Sequence, residues 1–121
     1  DGDGKLEILT FSKFHGDTLA IWHEGQTRDR YEQVWCDPQK RSFLHALWAA
    51  DLNGEKCAVI GNRKDGRDLL LVRYVDGEYT VDVIDHDLGP ANCMVYRHDG
   101  SDYIVAAYRE TDQLALYKVV E

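Results

Sequence analysis

The chain has 121 residues, 44% of them apolar and 30% charged, and its 22 acidic against 14 basic groups give a formal charge of −8. These figures describe one soluble globular unit rather than two. The acidity argues against the net-basic footprint of a nucleic-acid binder, and no apolar run reaches the ~20 residues of a membrane helix.

The dominant signal is a repeat. Three segments align: Asp1 to Trp22 (DGDGKLEILTFSKFHGDTLAIW), Asp51 to Val72 (DLNGEKCAVIGNRKDGRDLLLV) and Arg97 to Tyr117 (RHDGSDYIVAAYRETDQLALY). Each carries an Asx-Gly pair near its start (Asp3-Gly4, Asn53-Gly54, Asp99-Gly100), then an apolar or β-branched run, a polar loop and a second apolar run. Asx-Gly between extended runs predicts a hairpin, because Asn, Asp and Gly tolerate the positive φ of the tight turn. Further strands are expected at Tyr31 to Cys36 and Glu78 to Asp85, which alternate apolar and polar residues, and at Leu44 to Asp51 and Ala91 to Arg97, ahead of the Asx-Gly pairs.

One stretch is ambiguous in isolation. Ser42 to Leu52 (SFLHALWAADL) also fits an amphipathic helix capped by Ser42, with Phe43, Leu44, Leu47, Trp48 and Leu52 on one face. Its repeat equivalent, Gly89 to Arg97 (GPANCMVYR), is a poor helix, so the repeat favours a strand.

Four strands per repeat of this length is the arithmetic of a β-propeller blade. The expected fold is all-β, about two and a half four-stranded blades: an incomplete blade over 1–36, a full blade over 37–85 and an incomplete blade over 86–121. A propeller closes with four to eight blades, so the chain is expected to be the C-terminal part of a larger propeller. Its partners would be the remaining blades, from missing sequence or from other copies.

At the Asx-Gly pairs the sequence resembles the FG-GAP/VCBS-like repeats of β-propellers, whose hallmark is an acidic calcium loop of the form D-x-D-G-x-x-D/E. Asp1-Gly2-Asp3-Gly4-Lys5-Leu6-Glu7 matches it, Asp51-Leu52-Asn53-Gly54-Glu55 matches in part, and His98-Asp99-Gly100-Ser101-Asp102 is further degraded. The resemblance implies calcium at the first loop, held by Asp1, Asp3 and Glu7; the alternative is an ordinary turn with solvated carboxylates. Such propellers serve as adhesion modules, lectins and enzyme scaffolds, and aldos-2-ulose dehydratase and some polysaccharide lyases look similar in architecture.

In that topology the Asx-Gly turns lie at one end of the blades, and the loops between the second and third strands lie at the channel mouth, with the connections between blades. Lys13, Arg63 and Arg109 are repeat-equivalent and could bind carboxylate or phosphate oxygens, or form salt bridges between blades with Glu110, Asp17 or Asp87 as partners. His15, His45 and His86 fall at the same end, beside Asp17 and Asn92. His15, Asp17 and His45 are the candidates for acid–base catalysis. Lys13, Arg63, His86, Asn92, Arg109 and Glu110 are the candidates for ligand binding, and two or three histidines with a carboxylate could hold a divalent metal.

No P-loop, GxGxxG, GxSxG or HExxH motif is present. Three readings stay open: a sugar lyase or dehydratase, a non-catalytic binder of a carbohydrate-like ligand, and a protein-interaction or adhesion scaffold. The scaffold reading predicts an exposed apolar patch and a mouth whose charges are internally paired. Cys36, Cys57 and Cys93 form no CxxC pair, and with no signal-peptide pattern they favour the cytoplasm.

Overall fold

The computed structural model of the chain describes residues 1–12, 16–27 and 29–120. They form ten β-strands: β1 (Glu7–Ser12), β2 (Thr18–Glu24), β3 (Tyr31–Cys36), β4 (Leu44–Leu52), β5 (Glu55–Asn62), β6 (Leu69–Val75), β7 (Glu78–Asp85), β8 (Pro90–His98), β9 (Ser101–Tyr108) and β10 (Gln113–Lys118), with a 3-10 turn at Arg109–Thr111. The strands make three antiparallel sheets, ordered β1-β2-β3, β4-β5-β6-β7 and β8-β9-β10. No helix among the described residues is long and apolar enough to cross a membrane.

The strand at 44–52 settles the ambiguity of Ser42 to Leu52. Leu44, Ala46 and Leu52 are buried, while Leu47 and Trp48, which a helix would place on its apolar face, are both exposed. A bulge between Leu44 and Ala46 shifts the register, so that Leu44 and Ala46 face opposite sides of the sheet.

Tight turns behave as their residues require at two of the three Asx-Gly pairs. Asn53 and Gly54 have φ of 50° and 83°, and Asp99 and Gly100 have 46° and 79°, the double positive φ of a type I′ hairpin. Asp76-Gly77, between β6 and β7, does the same with 50° and 82°. Asp3-Gly4 differs: only Gly2 and Gly4 are left-handed there, and the chain curls through two Asx turns, with Asp3 N–H donating to Asp1 Oδ1 (2.9 Å) and Lys5 N–H to Asp3 Oδ1 (2.8 Å).

The middle sheet is covered on both faces. Ala58, Ile60, Leu70 and Val72 pack with Leu19 and Ile21 of the first sheet, and Phe11 and Trp35 lie against this cluster. Their alternates Val59 and Leu69, with Ala46 and Leu52, pack with Cys93, Ile104, Ala106 and Tyr108 of the third sheet. This double burial is why β5 and β6 read as continuous apolar runs rather than as alternating ones. The outer face of the third sheet has no such cover among the described residues, and Met94, Tyr96, Leu114 and Leu116 are exposed there.

Candidate functional site

Candidate residues gather at two ends of the stack. At the loop end, the connection from β3 to β4 hydrogen-bonds to both neighbouring hairpin loops: Arg41 N–H donates to Asp17 O, Leu44 N–H to Gly16 O, and Arg63 N–H to Phe43 O. The connection from β7 to β8 bonds to the loop between β5 and β6, with Leu88 N–H donating to Arg67 O. These loops are therefore neighbours.

The charges at this end are mostly spent on one another. Arg63 donates from Nε (3.0 Å) and Nη2 (2.7 Å) to Glu110 Oε1, tying the loop after β5 to the turn after β9 across the boundary between the middle and third sheets. The guanidinium holds the Glu110 carboxyl below its usual range. Arg63 also lies over the Phe43 ring, 5.1 Å from its centroid, and Phe43 stacks on His45 at 5.9 Å. His45 Nδ1 donates to Ala91 O at 2.7 Å, a second link between these two sheets. Asp17 accepts from Thr18 Oγ1 and lies 3.5 Å from Lys40. His86 pairs with Asp87 in solvent, which raises its pKa. Arg109 and Asn92 are exposed. Lys13 and His15 lie outside the described residues.

Sequence reasoning missed the strongest group here. Arg41 and Asp37 are both buried, with Arg41 Nε donating to Asp37 Oδ2 at 2.9 Å and Arg41 Nη1 3.9 Å from Asp68 Oδ2. Their spacing of four residues inside a polar connection was the only available signal. Among the described residues no three histidine, cysteine or carboxylate donors converge at the loop end.

The turn end holds the described group with metal-ligand geometry. Single donor atoms of Asp1, Glu7 and His23 lie within 4.8 Å of one another. Asp1 and Glu7 were expected there; His23, on β2, was not. The β1–β2 register places His23 directly opposite Glu7, so pairing the two strands on paper would have found it. His23 Nδ1 donates to Glu24 O (2.7 Å) and Nε2 faces Asp3 Oδ2 (2.7 Å) and Asp1 Oδ2 (3.6 Å). The amino group of Asp1 and the Tyr79 hydroxyl both donate to Glu7. Burial and the Glu7 carboxylate push the Tyr79 phenol up.

This arrangement titrates in a definite direction. The Glu24 carbonyl and then the Asp3 carboxylate raise the His23 pKa above the ordinary histidine value. The Lys5 N–H and then His23 lower that of Asp3. The His23 contribution to stability is complete below the ordinary histidine value and is lost as pH rises through the raised one; the Asp3 contribution is lost only as pH falls through its lowered value. The His23 ring should therefore titrate above a free histidine by NMR, and Asp3→Asn should bring its midpoint down. A midpoint unmoved by Asp3→Asn would show that the pair does not form in solution.

The thiols offer no nucleophile at neutral pH in two of three cases. Burial pushes Cys57 and Cys93 each up to about 11, far from the thiolate form.

Compared with known proteins, the chain matches no family model, no curated protein and no solved structure. Its function therefore has to be read from its own geometry.

Proposed function

We propose that the chain is part of a β-propeller of FG-GAP-like repeats and acts as a non-catalytic interaction scaffold. Three stacked antiparallel sheets, each built from consecutive strands and arranged as three, four and three, support the propeller reading. The observation that carries the scaffold reading is the Arg63–Glu110 pair. The arginine best placed to hold a ligand anion gives its Nε and Nη2 to a carboxylate in the turn after β9. The exposed apolar outer face of the third sheet supports the propeller part of this reading, because it is the face on which a further blade would pack.

The lyase or dehydratase reading needs a residue that moves a proton beside a free cation. His45 is half-buried, with one ring nitrogen bonded to a backbone carbonyl, and Asp17 pairs with Thr18 and Lys40. Calorimetric titration with acidic oligosaccharides separates the readings. The scaffold reading expects no saturable heat, and expects Arg63→Ala to lower the unfolding midpoint. Saturable binding that Arg63→Ala abolishes without a stability change would establish a ligand site instead.

The acidic loop is proposed as a divalent-cation site, with Asp1 and Glu7 as carboxylate donors and His23 added to the expected set. Calcium takes six to eight oxygen ligands, whereas a set containing an imidazole nitrogen suits zinc or manganese. The bond from His23 Nδ1 to the Glu24 carbonyl is the usual outer-sphere arrangement for a ligating histidine, and Nε2, here 2.7 Å from Asp3 Oδ2, would exchange that carboxylate for the ion.

A further inference from the structure

Aromatic rings from the first and middle sheets, Trp35, Tyr74 and Tyr79, meet toward the turn end of the stack. Tyr74 and Tyr79 are register partners across the β6–β7 hairpin. They follow Val72 and Val81, two residues away on their strands, onto the face that packs against the first sheet. Trp35 lies opposite Ile21 in the β2–β3 register and faces the middle sheet from the other side. Tyr79 is the common neighbour: its centroid is 5.7 Å from that of Trp35, with the planes at 42°, and 4.8 Å from that of Tyr74, with the planes at 54°. Rings tilted in this way enclose an angle and do not form a flat stack. A hollow of about 500 Å3 opens against them, lined also by Val34, Glu78 and His23. That is the size of a small-ligand pocket. Tyr74, although on the packed face of its sheet, is 41% exposed there.

The charges around the hollow favour a cation. Among the described residues no lysine or arginine lines it. Glu78 is an exposed carboxylate on its wall, and His23 has Nε2 turned to the Asp3 carboxylate at 2.7 Å. The Tyr79 hydroxyl donates to Glu7 Oε1 at 2.8 Å, which fixes that ring and sets a second carboxylate behind it. The whole chain carries −8, a field that draws cations in. Aromatic faces attract a cation through their quadrupole but supply no strong acceptor for its N–H groups. A lysine ammonium, compact and strongly hydrated, would lose its water for little in return. A quaternary ammonium spreads its charge over methyl groups and has no N–H to satisfy, so the rings suit it.

We propose that Trp35, Tyr74 and Tyr79 form an aromatic cage for a quaternary ammonium group, carried by a free small molecule such as choline or by a trimethylated lysine side chain. The rings hold the methyl groups and Glu78 supplies the counter-charge. The cage goes beyond the scaffold reading and does not rest on it. Its rings come from β3, β6 and β7, and it uses neither the charges of the loop end nor an ion at the acidic loop.

The probe is choline chloride, titrated in the presence of a chelator and followed at the Trp35 indole N–H by NMR. The control is dimethylbutanol, the neutral alcohol of the same shape. Choline should shift the signal saturably and bind on the order of tenfold more tightly than the alcohol. Tyr74→Phe keeps the ring and should bind as the parent does. Tyr74→Leu keeps apolar bulk but not the ring, and should weaken binding on the order of tenfold while the unfolding midpoint holds, since the position is exposed. Glu78→Gln, also exposed, should weaken binding by about threefold, the worth of a surface charge, and carries the test if Tyr74→Leu loses its fold. A trimethyl-lysine peptide run beside choline assigns the source of the group by which of the two binds more tightly. No saturable shift with either, equal binding of the neutral alcohol, or methylguanidinium bound as tightly as choline would overturn the proposal. So would a folded Tyr74→Leu chain, or a Glu78→Gln chain, that binds as the parent does.

Discussion

Arg41→Met should lower the stability of the chain by about 3–5 kcal/mol, because it removes one partner of a buried ion pair and leaves the other without compensation. Among the described residues Asp37 then retains the Gln39 N–H, 3.0 Å from its Oδ1, in a site where both side chains are less than a tenth exposed. The backbone shows what the pair holds in place. Asp37 N–H donates to Leu19 O and Arg41 N–H to Asp17 O, so the connection from the first to the middle sheet is fastened to β2 and its loop at both ends. Denaturant unfolding of Arg41→Met, Asp37→Leu and the double variant is the measurement. The double variant should recover much of the loss, because two apolar groups replace two charges and neither is orphaned. Lys40→Ala is the control: Lys40 is 73% exposed and its pairing with Asp17 is surrounded by solvent, so little change is expected. An Arg41→Met variant as stable as the parent would mean that the carboxylate reaches water, and that this connection is looser than its geometry.

Particular elements show how far the sequence reaches. β3 and β7 begin and end where their alternating patterns do, at Tyr31 and Cys36 and at Glu78 and Asp85, because turn residues bound each pattern on both sides. β4 was legible only through the repeat. Its Leu44, Leu47, Trp48 and Leu52 satisfy a helical period as well as any strand, and the small residues Ala46 and Ala50 acquire meaning only once β8 lies alongside. The first Asx-Gly pair looked like the other two, yet its turn is different, because the Asp1 and Asp3 side chains compete for the backbone N–H groups that a type I′ hairpin would leave to the ladder. The site was legible in proportion to sequence distance. Asp1, Asp3 and Glu7 lie in one loop and could be grouped by spacing. His23 needed the strand register, and the choice between a ligand-holding and a sheet-linking Arg63 needed the position of Glu110, in the turn after β9.

Gly61→Ala should force the middle and third sheets apart at the start of β8. A Cβ at Gly61 would lie 2.2 Å from Pro90 Cγ, 2.8 Å from Pro90 Cβ and 3.2 Å from Ala46 Cβ. Pro90 cannot rotate away, since its ring is closed on its own backbone and the residue is buried at the start of β8. The clash must therefore be relieved by moving the third sheet off the middle one, and overpacking of this kind costs about 1–3 kcal/mol. The glycine is a demand of this boundary and not of the repeat, because the equivalent position of β1 is Phe11, which packs in the cluster with Leu44 on the other face. Moving the third sheet also disturbs the contacts that cross the same boundary at the loop end, His45 to Ala91 O and Arg63 to Glu110. Gly61→Ala should accordingly shift the His45 and Phe43 ring resonances as well as the unfolding midpoint. Pro90→Ala in the same chain should restore part of both, since it removes Cγ, the nearer of the two clashing atoms, and leaves Cβ. A Gly61→Ala variant with unchanged stability and unchanged His45 resonances would show that the two sheets are not packed at this point, and the Arg63–Glu110 strap, with the scaffold reading that rests on it, would lose its support.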